Sequence, residues 1–147
     1  MHRAIVEPHL SFCCSLWGCC SESKFDTLQK IKNRTARIIT SSLYDASAAL
    51  INQNLGWSNI SNQARKETAT LTHKSLNSLD TNNLGKLFTK CSDGRERFLH
   101  SSETDLKIPL LKTTSGQKAF SYRGKLWNIL ERATKLAPSL KAFKEQL

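Results

Sequence analysis

The side chains best equipped for chemistry cluster near the start of the sequence. Cys13, Cys14, Cys19 and Cys20 fall within eight residues, and His9 lies four residues upstream of the first pair. Thiolates and imidazoles are ligands for zinc. Structural zinc sites, however, separate their cysteines as C-x2–4-C on a turn and draw a second pair from elsewhere. Here the cysteines are adjacent, and Cys91 and His100 would supply the second pair only by coincidence. Buried reduced thiols on an apolar helix are the expected state, and no metal or other cofactor is expected. The odd total of five cysteines, in neighbouring pairs that cannot staple distant parts of a fold, argues against a disulfide framework and for an intracellular setting.

Nucleophilic and acid–base chemistry have less to stand on. None of His2, His9, His73 and His100 sits in a nucleophile motif, and there is no G-x-S-x-G, H-E-x-x-H or phosphate-cradling glycine loop. Glu103 and Asp105 come nearest to a carboxylate pair, in a polar turn where both are expected to be solvated. Neither enzymatic activity nor a small-molecule substrate is expected. The cations are the better lead. Lys30, Arg34 and Arg37 recur at i, i+4 and i+7, which on a helix makes a stripe roughly 10 Å long that can follow phosphates along a groove edge. Arg65, Lys66, Arg95, Arg97 and Arg123 complete the candidate nucleic-acid-binding set. The plain alternative is an ordinary solvated helix face. Trp17, Trp57 and Trp127 lie on apolar stripes, so each is expected in the core rather than as a platform for stacking bases.

Whole-chain composition agrees with that lead. Twenty-two Lys and Arg against twelve Asp and Glu give 147 residues a net charge of +10, which favours polyanionic partners. A hydrophobic fraction of 39% is modest for a chain of this length and points to marginal stability. No run approaches the roughly 20 apolar residues of a membrane span, so no membrane partner is expected. Leu10 to Cys20 faintly imitates a signal-peptide core, but Glu7, Pro8 and His9 interrupt it and no small-x-small cleavage pattern follows.

The elements that would position these residues are mostly helical. Pro8 suits the start of a first helix carrying Leu10, Phe12, Cys13, Leu16 and Trp17, with Gly18 at its end. Lys24 to Thr40 is the clearest helix: Phe25, Leu28, Ile31, Ile38 and Ile39 form an apolar back, bridged by Thr35, opposite a cationic front. A short third helix runs from Tyr44 through Leu50 and Ile51, and Gly56 is its left-handed cap. Ser58 is placed to cap a long fourth helix to about Ser78 that packs Ile60, Ala64, Leu71 and, near its end, Leu76 and Leu79. Leu84, Leu87 and Phe88 suggest a further helical turn. Cys91 to Gly94 reads as a turn, and Leu106 to Pro109 as a short strand or extended arm that Pro109 keeps from being central. A last helical region starts at Gln117 and carries Phe120, Trp127, Ile129 and Leu130, and Ser139 caps the final turn. The expected architecture is a mostly α small helical domain over 1–88, an extended polar and basic arm over 89–116, and a helical tail over 117–147.

Several stretches, taken in order, resemble the region that follows the polymerase domain in non-LTR (LINE-type) retrotransposon reverse transcriptases. They are Ala4-Ile5-Val6-Glu7-Pro8-His9-Leu10, Cys14-Ser15-Leu16-Trp17-Gly18, and Leu28 through Ile39, followed by Leu55-Gly56-Trp57. Later come Arg97-Phe98-Leu99-His100-Ser101-Ser102-Glu103-Thr104, Phe120-Ser121-Tyr122-Arg123-Gly124, Leu126-Trp127-Asn128, and Ser139-Leu140 with Phe143-Lys144. The resemblance implies a helix of the polymerase's thumb-side extension near the N-terminus, then a helical tail. It does not bring catalysis with it, because polymerisation needs palm aspartates that hold two metal ions. This sequence has no Asp-Asp pair, and its Tyr44-Asp45 falls after the thumb-like region. Departures include Asp80-Thr81-Asn82-Asn83 where the family tends to place Ala-Pro, Ile129-Leu130-Glu131 in place of Ser-Leu-Pro, and a spacer one residue short between Gly124 and Leu126. Met1 is accordingly expected to mark a truncated start or a decayed element. Implied partners are RNA or an RNA–DNA hybrid, held by the basic helix face. The alternatives are a structural module that docks on a polymerase domain through the Cys-rich first helix, or a relic without independent function.

Overall fold

In the computed structural model, which describes residues 8–9, 12–17, 22–79, 84–93 and 103–147, the chain is mostly α-helical with a single pair of very short strands among the described residues. It divides into two compact units, one ending at Ala64 and one beginning at Arg65. The first contains α1 (Cys14–Trp17), α2 (Glu22–Thr40), α3 (Ala48–Asn54) and the opening turn of α4 (Ile60–Leu76).

Helix α2 forms where its periodicity predicts, but it turns the other way. The apolar residues Ile31, Ile38 and Ile39 are 57%, 72% and 47% exposed, whereas Lys32 and Ala36 are buried. At about 100° per residue Lys32 and Ala36 share an arc with Gln29 and Asn33, and Ile31 and Ile38 fall on nearly the opposite side. Ala36 is small enough for α2 to lie close against α3, and it packs there with Ile51 and Trp57. Polar side chains complete this face. Lys32 Nζ donates to Ser58 O at 2.8 Å and stands 5.7 Å from the Trp57 ring centre, so its stem fills space while its charge is satisfied. Gln29 Oε1 accepts from Ile60 N at 3.0 Å, and Asn33 Oδ1 accepts from both Gln29 and Asn52. These bonds tie α2 to the start of α4 and to α3.

The ends of the helices follow local chemistry. Ser41 closes α2 at φ 50°, and Ser42 N donates back to Arg37 O. Gly56 takes the left-handed conformation, φ 66°, as its cap role requires, and Trp57 N reaches Asn52 O at 2.8 Å. At the start of α4 it is Asn59 and not Ser58 that caps, its Oδ1 accepting from Ser61 N at 2.8 Å.

The second unit builds its core from Ala69, Phe88, Leu106, Trp127 and Phe143. Strands β1 (Thr89–Lys90) and β2 (Leu106–Lys107) pair antiparallel, Thr89 opposite Lys107 and Lys90 opposite Leu106. After two single 3-10 turns, Gly116–Lys118 and Phe120–Arg123, come α5 (Gly124–Ile129), α6 (Arg132–Lys135) and α7 (Leu140–Glu145). Ser139 caps α7 as predicted, accepting from Ala142 N at 3.2 Å. The Trp127-Asn128 dipeptide fastens β2 to α5. Trp127 Nε1 donates to Thr104 O at 2.9 Å, and the Asn128 amide both accepts from Leu106 N and donates to Leu106 O, acting as a one-residue strand neighbour.

Helix α4 buries Ile60 and Ala64 as its periodicity suggests, and Leu76 packs against the core, but the helix also buries a polar set that its leucines do not announce. Leu79 is exposed and Leu71 only half-buried, whereas Thr68, Thr70, Thr72, His73 and Ser75 are buried. The Thr70, Thr72 and Ser75 hydroxyls donate to the carbonyl four residues back, so little buried polarity is left unpaired. His73 is the exception. Its imidazole stacks on Phe143 at 4.3 Å and leans against Trp127 at 6.2 Å, and neither ring nitrogen has a hydrogen-bond partner among the described residues. Burial lowers its pKa below the usual 6.5. The Ala137 backbone, outside hydrogen-bond geometry, opposes the shift more weakly.

The unfolded chain therefore takes up this proton before the folded one does. Stability is full above pH 6.5 and declines as pH falls through the window beneath it, by at most about 1.4 kcal/mol per pH unit. Urea midpoints at pH 7.5 and 5.5 are expected to show this loss, and His73→Phe to abolish it. An acid sensitivity that persists in His73→Phe would assign it to other groups.

Candidate nucleic-acid interface

On α2, Lys30 and Arg34 stand one turn apart, both exposed. Among the described residues neither makes an ion pair or a hydrogen bond, although Asp26 stands one turn before Lys30 on the same face; Glu22 lies at the opening turn. A pair of cations one turn apart spans about 6 Å of helix axis, close to the separation of successive phosphates along a strand. Two cations so spaced can meet successive phosphates, a kind of contact that carries no base readout.

Arg37, the third predicted member, is drawn away from that pair. Its Nε and Nη2 donate to Ala46 O at 3.4 and 3.2 Å, and its guanidinium carbon lies 5.6 Å from the Tyr44 ring centre. The reason lies in the turn after α2, which leaves the Ala46 carbonyl and an exposed ring within reach of a long planar cation. Arg37 therefore fastens the connection to α3, half-buried, and its charge is shared with the turn.

The remaining candidates belong to the second unit or lie outside the described residues. Arg65 and Lys66 are exposed on α4, and Arg123 is half-buried at the end of a 3-10 turn just before α5. Arg95 and Arg97 lie outside the described residues. Among the described candidates, Lys30 and Arg34 on α2 and Arg65 and Lys66 on α4 form two exposed local pairs.

Sequence reasoning passed over a cleft of about 310 Å³ in the second unit, lined by Ser75, Ser78, Gly85, Lys86, Lys90 and Asp93 among others. Gly85 is there because a Cβ would sit 2.5 Å from Ser75 O. Lys86 and Lys90 share the cleft with the Asp93 carboxylate, and Ser75 Oγ is already donated to Leu71 O, so it is a poor match for a polyanion. The cysteines divide similarly: Cys14 is buried, Cys91 half-buried and Cys13 exposed, while Cys19, Cys20 and His100 lie outside the described residues. Among the described residues no three of His, Cys, Asp and Glu converge, and no helix is long and apolar enough to cross a membrane.

No family model matches the chain, and neither a curated protein nor a solved structure is found to be similar to it.

Proposed function

We propose that this chain is a non-catalytic segment of a reverse-transcriptase-like, non-LTR retrotransposon protein that holds RNA or an RNA–DNA hybrid by its phosphates. The ordered set of motifs from Ala4 to Lys144 supports the family. The observation that carries the binding role is the exposed Lys30–Arg34 pair on α2, without an ion pair among the described residues, in a chain of net charge +10. Each phosphate neutralised releases counterion, so affinity falls with salt, with a log–log slope of about 0.9 per contact on duplexes and 0.7 on single strands.

Salt titration of RNA binding by the reduced, full chain tests this. Lys30→Ala/Arg34→Ala is expected to lower the slope by about 1.4 to 1.8, equally for unrelated RNA sequences. Arg37→Ala is expected to change the slope less and to lower the melting temperature, because its guanidinium holds the turn at Ala46. An unchanged slope in the double variant, or a loss confined to one RNA sequence, would contradict the phosphate role.

A further inference from the structure

Three isoleucines on α2, Ile31, Ile38 and Ile39, are left in water, and contact with nucleic acid gives them nothing to do. Branched aliphatic side chains neither stack on bases nor bond to phosphates. With the half-buried Leu28 and Thr35 they follow a definite pattern: Leu28, Ile31, Thr35 and Ile38 recur at steps of three, four and three residues along one helix. That spacing makes a seam one side chain wide, with Ile39 along its edge, and such a seam is the surface one helix offers another. A bilayer surface asks for more: a broad apolar face with Trp, Phe or Leu along it, where this strip is narrow and interrupted by threonine.

The seam's borders carry charge of one sign. Lys24 stands in line with it, Arg34 sits directly beside it, and Lys30 lies beyond Arg34. Asp26 and Glu22 project about 140° or more away around the helix. A second copy of the chain would bring Lys24 and Arg34 of both molecules to a shared rim, between two bodies that each carry a net charge of +10. A partner that covers the apolar strip and also complements its rim must carry carboxylates.

We infer that the exposed seam of α2 is a docking surface for an amphipathic helix of a partner protein, with an apolar stripe edged by aspartate and glutamate. This surface shares Arg34 with the phosphate pair, but Lys24, Ile31 and Ile38 belong to it alone, so changes at those three test docking without touching Lys30 or Arg34. The partner's apolar residues cover Ile31 and Ile38 while its carboxylates meet Lys24 and Arg34.

The probe is a synthetic helical peptide with leucine at a and d and glutamate at e and g. A peptide with lysine at e and g and a scrambled peptide of the same composition serve as comparisons. Each is titrated into the full chain and followed by amide chemical shifts. Saturable binding of the glutamate-edged peptide alone is expected, with shifts concentrated on residues 28–39. Ile31→Ser/Ile38→Ser is expected to weaken it at least tenfold with an unchanged far-UV spectrum, since both side chains already lie in water, and to leave the RNA salt slope intact. Lys24→Glu is expected to weaken it severalfold and to admit the lysine-edged peptide. Absence of saturable binding, equal binding of the scrambled peptide, or indifference to the isoleucine change would each overturn the inference. So would self-association of the chain, or capture by phosphatidylserine vesicles, that depends on Ile31 and Ile38: these would assign the seam to a second copy or to a membrane.

Discussion

Trp127→Ala is expected to cost the second unit about 3–5 kcal/mol, a large part of what holds a domain of this size together. Trp127 is 3% exposed and lies where β2, α4 and α7 meet. Its ring stacks on Phe143 at 6.0 Å and supports His73, and its Nε1 holds Thr104 O. Truncation would open a cavity that short helices such as α5 and α7 can only partly close. Trp127→Phe separates the contributions: most of the packing survives, and the loss of the Nε1 bond is expected to cost about 1–2 kcal/mol. Trp17→Ala is the control, because Trp17 is only half-buried and meets Phe25 at 6.1 Å. Urea denaturation of the three variants should rank them Trp127→Ala, then Trp127→Phe, with Trp17→Ala mildest. If Trp127→Ala and Trp17→Ala were equally destabilising, Trp127 would not be the centre of this core.

Much of the secondary structure was legible because it rests on local signals. The three- and four-residue spacing located α2, Gly56 announced a left-handed cap, and Ser139 announced the start of α7. Strand β2 was visible in the alternation at Leu106-Lys107, although its partner Thr89–Lys90 lies far back along the chain and left no local mark. The inward face of α2 was hidden for a different reason. Hydropathy treats lysine, glutamine and asparagine as solvent-seeking, yet Lys32, Gln29 and Asn33 are drawn in by Ser58 O, Ile60 N and Asn52, all from segments 19 to 31 residues away. Hydrogen bonds offset the cost of burying them, and no window of sequence contains both partners. On α4 the reason is local instead: Thr70 and Thr72 bond back to carbonyls four residues earlier, which lets them be buried although hydropathy ranks them below Leu71 and Leu79.

The candidate site was legible to the same degree. Lys30 and Arg34 are exposed as charged residues are by default, so periodicity alone placed them together. Arg37 could not be read that way, because the Ala46 carbonyl and the Tyr44 ring that hold it are set by how the chain turns after Ser41.

Asp105→Ala is expected to cost about 3 kcal/mol, more than any change to the exposed cations. Lys135 Nζ lies 2.7 Å from Asp105 Oδ1, its side chain 4% exposed, and its other bond is to Asn128 O at 3.0 Å. Breaking one side of a buried ion pair leaves a charge without its counter-charge in a poorly solvated place, which is why such changes cost more than an exposed pair is worth. Asp105 also accepts a backbone bond at its carbonyl from Cys91 N, so the pair joins the β1–β2 connection to α6. Lys135→Met should be milder than Asp105→Ala, because Asp105 is 18% exposed and water can approach its carboxylate. The double variant Asp105→Ala/Lys135→Met is expected to recover most of the loss, since neither charge then remains buried. A double-mutant cycle on urea midpoints measures the coupling directly. Additive losses would mean that the two side chains stabilise the unit separately and that the ion pair itself contributes little; a double variant close to wild type would show that the pair's main role is to neutralise a cation the fold has already buried.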